Sequence, residues 1–147
     1  MKKPRLSISM VAGTHEPIAA STIAQCASAV ENAGFHKLYL TDHFFSSTPT
    51  FHSTSAFAVA AAATQHIPLG FCSYIAPLRH AIVAAKELAF LDGLCGGRLS
   101  PGLAAGSSRL EFEAFGIPFE SRGKRLDESI VAIKRLWTED HVSFDGE

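Results

Sequence analysis

Three short segments carry the residue types that could do chemistry. Thr41-Asp42-His43 holds an imidazole next to a carboxylate. Cys72-Ser73-Tyr74 lines up a thiol, a hydroxyl and a phenol. Ala104-Ala105-Gly106-Ser107 is a run of small side chains, which lets a flat or phosphorylated ligand approach the backbone. His43 is the natural general base, since imidazole titrates close to neutral pH. Asp42 adjoins it, but successive strand residues point to opposite faces, so Asp42 is not expected to orient His43. Two plainer readings stand beside these: His43 as a loop cap packed on Phe44 and Phe45, and residues 104–107 as a tight turn. For the turn, the residues alone favour the plainer reading.

Other chemistries lack their signatures. No GxGxxG, Walker A or GxSxG motif occurs. The histidines form no HxH or HxxxH pair, and Cys26, Cys72 and Cys95 form no CxxC, so no metal site is expected. Widely separated thiols suit a reducing compartment, and a cytoplasmic location is expected. Arg122 and Arg125 could bind an anion, but two arginines on a helix usually mark a solvated face. Phe71 and Tyr74 read as core.

These segments need elements to hold them. Residues 6–11 alternate like a strand. Pro17 stands where a helix would start, Ile23, Ala27 and Val30 share a helical face, and Gly34 closes that helix. Residues 36–41 read as a second strand and 45–53 as a polar loop, with Ser46, Thr48, Thr50 and His52 lining part of a pocket. Ala-rich residues 55–64 favour helix, and the apolar run 67–75 suits a strand buried on both faces. A helix over 79–94 ends at Gly96-Gly97, and a short strand follows over 98–105. One or two turns over 109–114 precede the clearest helix, 125–137, where Leu126, Ile130, Ile133 and Trp137 recur at helical spacing. Residues 141–144 begin an extended segment.

The order β-α-β-α-β-α-β predicts a parallel sheet covered by helices. Two architectures fit: an open doubly wound sheet, or the first half of a (β/α)₈ barrel, which in full takes about 200 to 250 residues or more. In both, ligands bind beyond the C-terminal ends of the strands, where the three segments converge. The bulk properties agree with one domain. The chain has 147 residues, 47 % of them apolar and 18 % charged, with net charge −1. That balance provides no electrostatic footprint for nucleic acid. The longest weakly polar stretch, 56–63, is far shorter than the roughly 20 residues a membrane span needs, and no signal peptide is expected.

An ordered series of motifs carries a family resemblance. HKLYLTDH at 36–43, PLRH at 77–80, LDGLCGGRL at 91–99 and EFEAFGIPF at 111–119 come first. RGKRLDE at 122–128, LWT at 136–138 and VSFDG at 142–146 follow. Together they resemble the N-terminal portion of the luciferase-like flavin-dependent monooxygenases. The resemblance implies a (β/α)₈ TIM-barrel fold with about the first four βα units present, residues 1–147 being the N-terminal part of a single barrel domain. It implies that reduced FMN and molecular oxygen oxygenate a small organic substrate, with the flavin delivered by a separate reductase, and a homo-oligomer at full length. It leaves open the F420-dependent, hydride-transferring branch of the superfamily. A non-catalytic half-barrel, or a subunit that pairs with another, is the remaining alternative.

Residue by residue, His43 matches the family histidine near the flavin ring. Cys72–Ser73 matches the place of a non-prolyl cis peptide bond beneath it. Ala105 and Gly106 match the turn beside the ribityl chain and phosphate, and Arg122 an arginine that holds phosphate in some relatives. The departures are specific. Gly102-Leu-Ala-Ala-Gly106 stands where several relatives have Gly-Val-Gly-x-Gly. Ala105 stands where luciferase-type members often have arginine, a contact worth roughly 1.5–3 kcal/mol when charge-assisted. Pro101 removes one ladder donor from the fourth strand. In such barrels the main phosphate site lies in the loops after strands seven and eight, which this chain does not include.

Overall fold

The computed structural model describes residues 5–10, 18–45 and 50–146. Four strands, β1 (Ser7–Met10), β2 (Lys37–Leu40), β3 (Leu69–Ile75) and β4 (Gly102–Ala104), form one parallel sheet in the order β1-β2-β3-β4. The helices between them are α1 (Ala20–Asn32), α2 (Ser53–Ala62) and α3 (Ala81–Leu94), followed after β4 by α4 (Arg109–Ala114) and α5 (Arg122–Thr138). Sequential order without a reversal is the pattern of successive barrel units, so the doubly wound alternative falls.

The elements form for the reasons the pattern suggests, with shifted ends. Gly34 and Gly96-Gly97 all take positive φ and end α1 and α3. Pro17 and Val11 lie outside the described residues, and α1 begins at Ala20. Residues 79–80 are not helical. A 3₁₀ turn at Ala76–Leu78, set by Pro77, precedes them, and the His80 side chain caps α3 by accepting from the Ile82 N–H. Strand β4 is only three residues long, because Pro101 precedes it and Leu99 makes just a single bridge to Leu69. Helix α5 starts three residues earlier than expected, since the 3₁₀ turn Phe119–Ser121 runs straight into it. Residues 142–146 form no strand. They lie along α5, with Arg135 Nη1 donating to the Ser143 carbonyl.

One core fills the space between the sheet and α1, α2, α3 and α5, built on Leu38, Leu40, Phe57, Leu69, Phe71, Tyr74, Leu88 and Ile133. Phe57 stacks on Phe71 at 5.3 Å. The β3–β4 seam is tight. A Cβ at Gly70 would collide with the Ser100 carbonyl oxygen, and one at Gly102 would fall 2.7 Å from that of Phe71. The backbones themselves fill this seam, so it has no room for a methyl group.

Candidate functional site

At the C-terminal ends of β2, β3 and β4, a cleft of about 360 Å³ is lined by Asp42, His43, Cys72, Ser73, Ile75 and residues 104–107. His43, Cys72, Ser73, Ala105 and Gly106 thus meet in one place, as their strand-end positions predict. Arg122 is not among the lining residues. Its guanidinium lies 3.9 Å from the Phe119 ring centroid and donates to the Phe119 carbonyl at 3.0 Å. Arg125 departs from the solvated-face reading, because its Nε donates to the Pro77 carbonyl at 3.2 Å. Of the polar loop residues, Ser46 and Thr48 lie outside the described residues.

The cleft wall is shaped by a break in the ladder. Cys72 pairs with Gly102 and Tyr74 with Leu103, so Ser73 is the extra residue of a bulge. Bulges re-aim side chains next to sites. The Cys72–Ser73 peptide bond is cis. On the facing side, Gly106 takes φ +84°, and a Cβ there would fall 2.9 Å from both Ile75 Cγ2 and Phe112 Cε2. Glycine therefore lets the chain turn sharply out of β4 against packed side chains.

Asp42 makes no hydrogen bond to His43: the strand β2 ends at Leu40, and Asp42 instead takes partners of its own. Its carboxylate is buried and fully engaged. It accepts from Arg79 Nη1 at 2.8 Å, Arg79 Nη2 at 2.9 Å, the Ser53 hydroxyl at 2.6 Å and the Ile75 N–H at 2.8 Å. Arg79 in turn lies 4.1 Å from the Tyr74 ring centroid and 4.6 Å from that of Phe44. Tyr74 donates its hydroxyl to Glu87 at 2.8 Å, and burial pushes its phenol well above the usual range.

Burial also pushes the Asp42 carboxyl upward, but the Arg79 hydrogen bonds and charge, with Ser53 and Ile75, outweigh it and hold the group below its usual value. A carboxyl whose folded pKa lies below its unfolded one stabilises the fold above the unfolded value, about 3.9, and loses that contribution as pH falls through the folded one. The urea midpoint is therefore expected to drop on acidification below about pH 4. Asp42→Asn is expected to flatten this part of the dependence, measurable as urea midpoints across a pH series. An unchanged slope would show that other carboxyls carry it.

The residue that meets His43 is one the sequence did not single out for chemistry. Glu111 is fully buried, accepts from the Phe44 N–H at 2.7 Å and the Phe45 N–H at 3.4 Å, and faces His43 Nδ1 at 3.4 Å. Ser108 and Glu111 have the spacing of a capping box, and Ser108 does cap α4 by accepting from the Glu111 N–H. That local signal predicts a Glu111 side chain folded back over its own helix end, whereas it reaches across to the loop after β2. An Nδ1–H facing Glu111 leaves Nε2 as the basic nitrogen of the ring. The His43 side chain is 44 % exposed, so the ring is open to the cleft while its back rests on a buried carboxyl.

The sequence profile of the luciferase-like monooxygenases matches residues 6–147. The chain belongs to this family. Among curated luciferase-like relatives, it is 41 % identical over 80 residues to the oxygenase component of the flavin-dependent trigonelline monooxygenase of Acinetobacter baylyi. That match covers 53 % of this chain and 22 % of the relative. It is 31 % identical over 130 residues to the F420-dependent glucose-6-phosphate dehydrogenase of Intrasporangium calvum, covering 80 % of this chain and 38 % of that protein. The crystal structure of monooxygenase RslO1 from Streptomyces bottropensis superposes with a TM-score of 0.86 at 27 % identity, over 98 % of this chain and 46 % of that one. The chain thus spans less than half the length of these proteins. The family includes both FMN- and F420-dependent members. Among the described residues, no helix is long and apolar enough to cross a membrane.

Proposed function

We propose that the protein is a flavin-dependent oxidoreductase that uses reduced FMN, delivered by a separate reductase, and molecular oxygen to oxygenate a small organic substrate. In this reading residues 1–147 are the N-terminal part of a single barrel domain, and the protein is a cytoplasmic homo-oligomer. The observation that carries the reading is the joining of His43, Cys72, Ser73, Ala105 and Gly106 around one cleft in a luciferase-like chain.

The lining fits a flat ring. Ala104, Ala105 and Gly106 offer backbone with little side-chain bulk, and the bulged Cys72–Ser73 segment faces them. Among the described residues no Lys or Arg lines the cleft, and position 105 is alanine. When bound, reduced flavin supplies the electrons for oxygenation. The protein's own work is placement and proton transfer. Ser73 and Ser107 provide hydroxyls that donate or accept at the ring edge. His43 Nε2 takes or returns a proton at the reacting centre, with Glu111 behind Nδ1.

A second reading has its own support. The F420-dependent Intrasporangium relative aligns over 80 % of this chain, against 53 % for the trigonelline enzyme. Fluorescence titration of the protein with FMN and with F420, alongside oxygen uptake in the presence of reduced FMN and candidate substrates, separates the two. FMN binding with substrate-dependent oxygen uptake is expected. Tight F420 binding with no response to FMN would replace oxygenation by hydride transfer.

A further inference from the structure

His43 is poorly held by its own bonds. Its ring is 44 % exposed, and its side-chain partner Glu111 stands at 3.4 Å, the weak end of hydrogen-bond length. Its two chain neighbours are held firmly, and by the same group. Asp42 binds both terminal nitrogens of Arg79 in a bidentate pair. The Phe44 ring lies against the same guanidinium at 4.6 Å. That guanidinium cannot drift. Its side chain is 8 % exposed, it also donates to the Ile75 carbonyl at 3.1 Å, and the Tyr74 ring and Glu87 carboxylate crowd it at 4.1 and 3.8 Å.

We propose that Arg79 is the positioning residue for His43: by gripping residues 42 and 44, it fixes the stretch of backbone that presents the imidazole to the cleft. The path also reaches the back of the ring, because the Phe44 N–H is the shortest donor to Glu111. One cation therefore sets the backbone on both sides of His43 and, through Phe44, the carboxylate behind it. Lysine in its place keeps the charge but loses the second arm of the bidentate pair and the planar surface on which Phe44 lies. The catalytic importance of this placement rests on the reading of His43 given above, whereas the placement itself does not.

The test is the pair of imidazole ¹⁵N shifts of His43, which report its tautomer, in protein labelled with ¹⁵N-histidine. In Arg79→Lys, the His43 shifts are expected to move toward the averaged values of free imidazole, while those of the remote His36, His66 and His141 stay in place. Turnover is expected to fall about 10- to 100-fold with KM changed little, the signature of misplacement rather than lost binding. Should Arg79→Lys fail to fold, Phe44→Leu decides, since it leaves the Asp42–Arg79 pair whole and removes one of the two grips. A matching His43 shift supports the proposal. His43 shifts unmoved in the folded variants overturn it. Shifts that move while turnover holds keep the placement and instead remove His43 from the reaction.

Discussion

His43→Ala is expected to lower turnover by about 10²- to 10⁴-fold, the usual worth of a positioned general acid or base, while flavin affinity changes little. The cleft leaves few alternatives for the proton. Asp42 lines it but is spent on four hydrogen bonds. Among the described lining residues, the imidazole combines access to the cleft with an acceptor behind it. Flavin affinity is expected to survive because the small residues 104–106 and the Cys72–Ser73 bulge line the cleft independently of the His43 side chain. Steady-state turnover with reduced flavin, set against equilibrium titration of flavin fluorescence, measures the two separately. Turnover equal to that of the unaltered protein would take His43 out of the mechanism.

The largest loss of stability is expected at the opposite end of the sheet, from Arg98→Ala. Arg98 uses all five of its N–H donors. Nε donates to Cys95 O at 2.7 Å, Nη1 to Thr64 Oγ1 at 3.0 Å and Ile67 O at 2.9 Å, and Nη2 to Ala61 O and Thr64 O at 3.1 Å each. These acceptors sit at the end of α2, the approach to β3 and the end of α3, so a single side chain fastens three elements. Alanine leaves five acceptors without their donor. At about 0.5–1.5 kcal/mol net for each bond, the loss is about 2.5–7.5 kcal/mol, a large share of the 5–15 kcal/mol that holds an ordinary domain together. A shifted urea midpoint at constant m-value is the measurement. A loss below about 1 kcal/mol would mean that water replaces the guanidinium at these carbonyls.

The sequence was most legible where the physics is local. Alternation marks β2, a continuous apolar run marks β3, and helical spacing marks α1 and α5, because burial follows the geometry of those elements. Glycines 34, 96 and 97 announce helix ends because only glycine takes positive φ without cost. What stayed hidden is long-range or conflicted. Asp42 and Arg79 are 37 residues apart, and Arg98 reaches back 31 to 37 residues for most of its partners. Nothing in either neighbourhood says which charge the other will meet. Glu111 was hidden by a true local signal, since the capping-box spacing accounts for it without sending its side chain 68 residues back to His43. The 3₁₀ turn at residues 76–78 falls in the gap between the expected strand and the expected helix, where Pro77 is the available clue.

The glycines that open β4 and turn the chain out of it also decide how this molecule can change over generations. Gly102 is pinned by the Phe71 carbonyl and Gly106 by Ile75, Phe112 and its own backbone angle, so any side chain at either place pushes on packed atoms. Ala105 lies between them, half-buried, and lines the cleft. Unlike the two glycines, it already carries a Cβ beside the cleft. Variation at 105 alters what the cleft accepts. Variation at 102 or 106 alters whether there is a cleft at all.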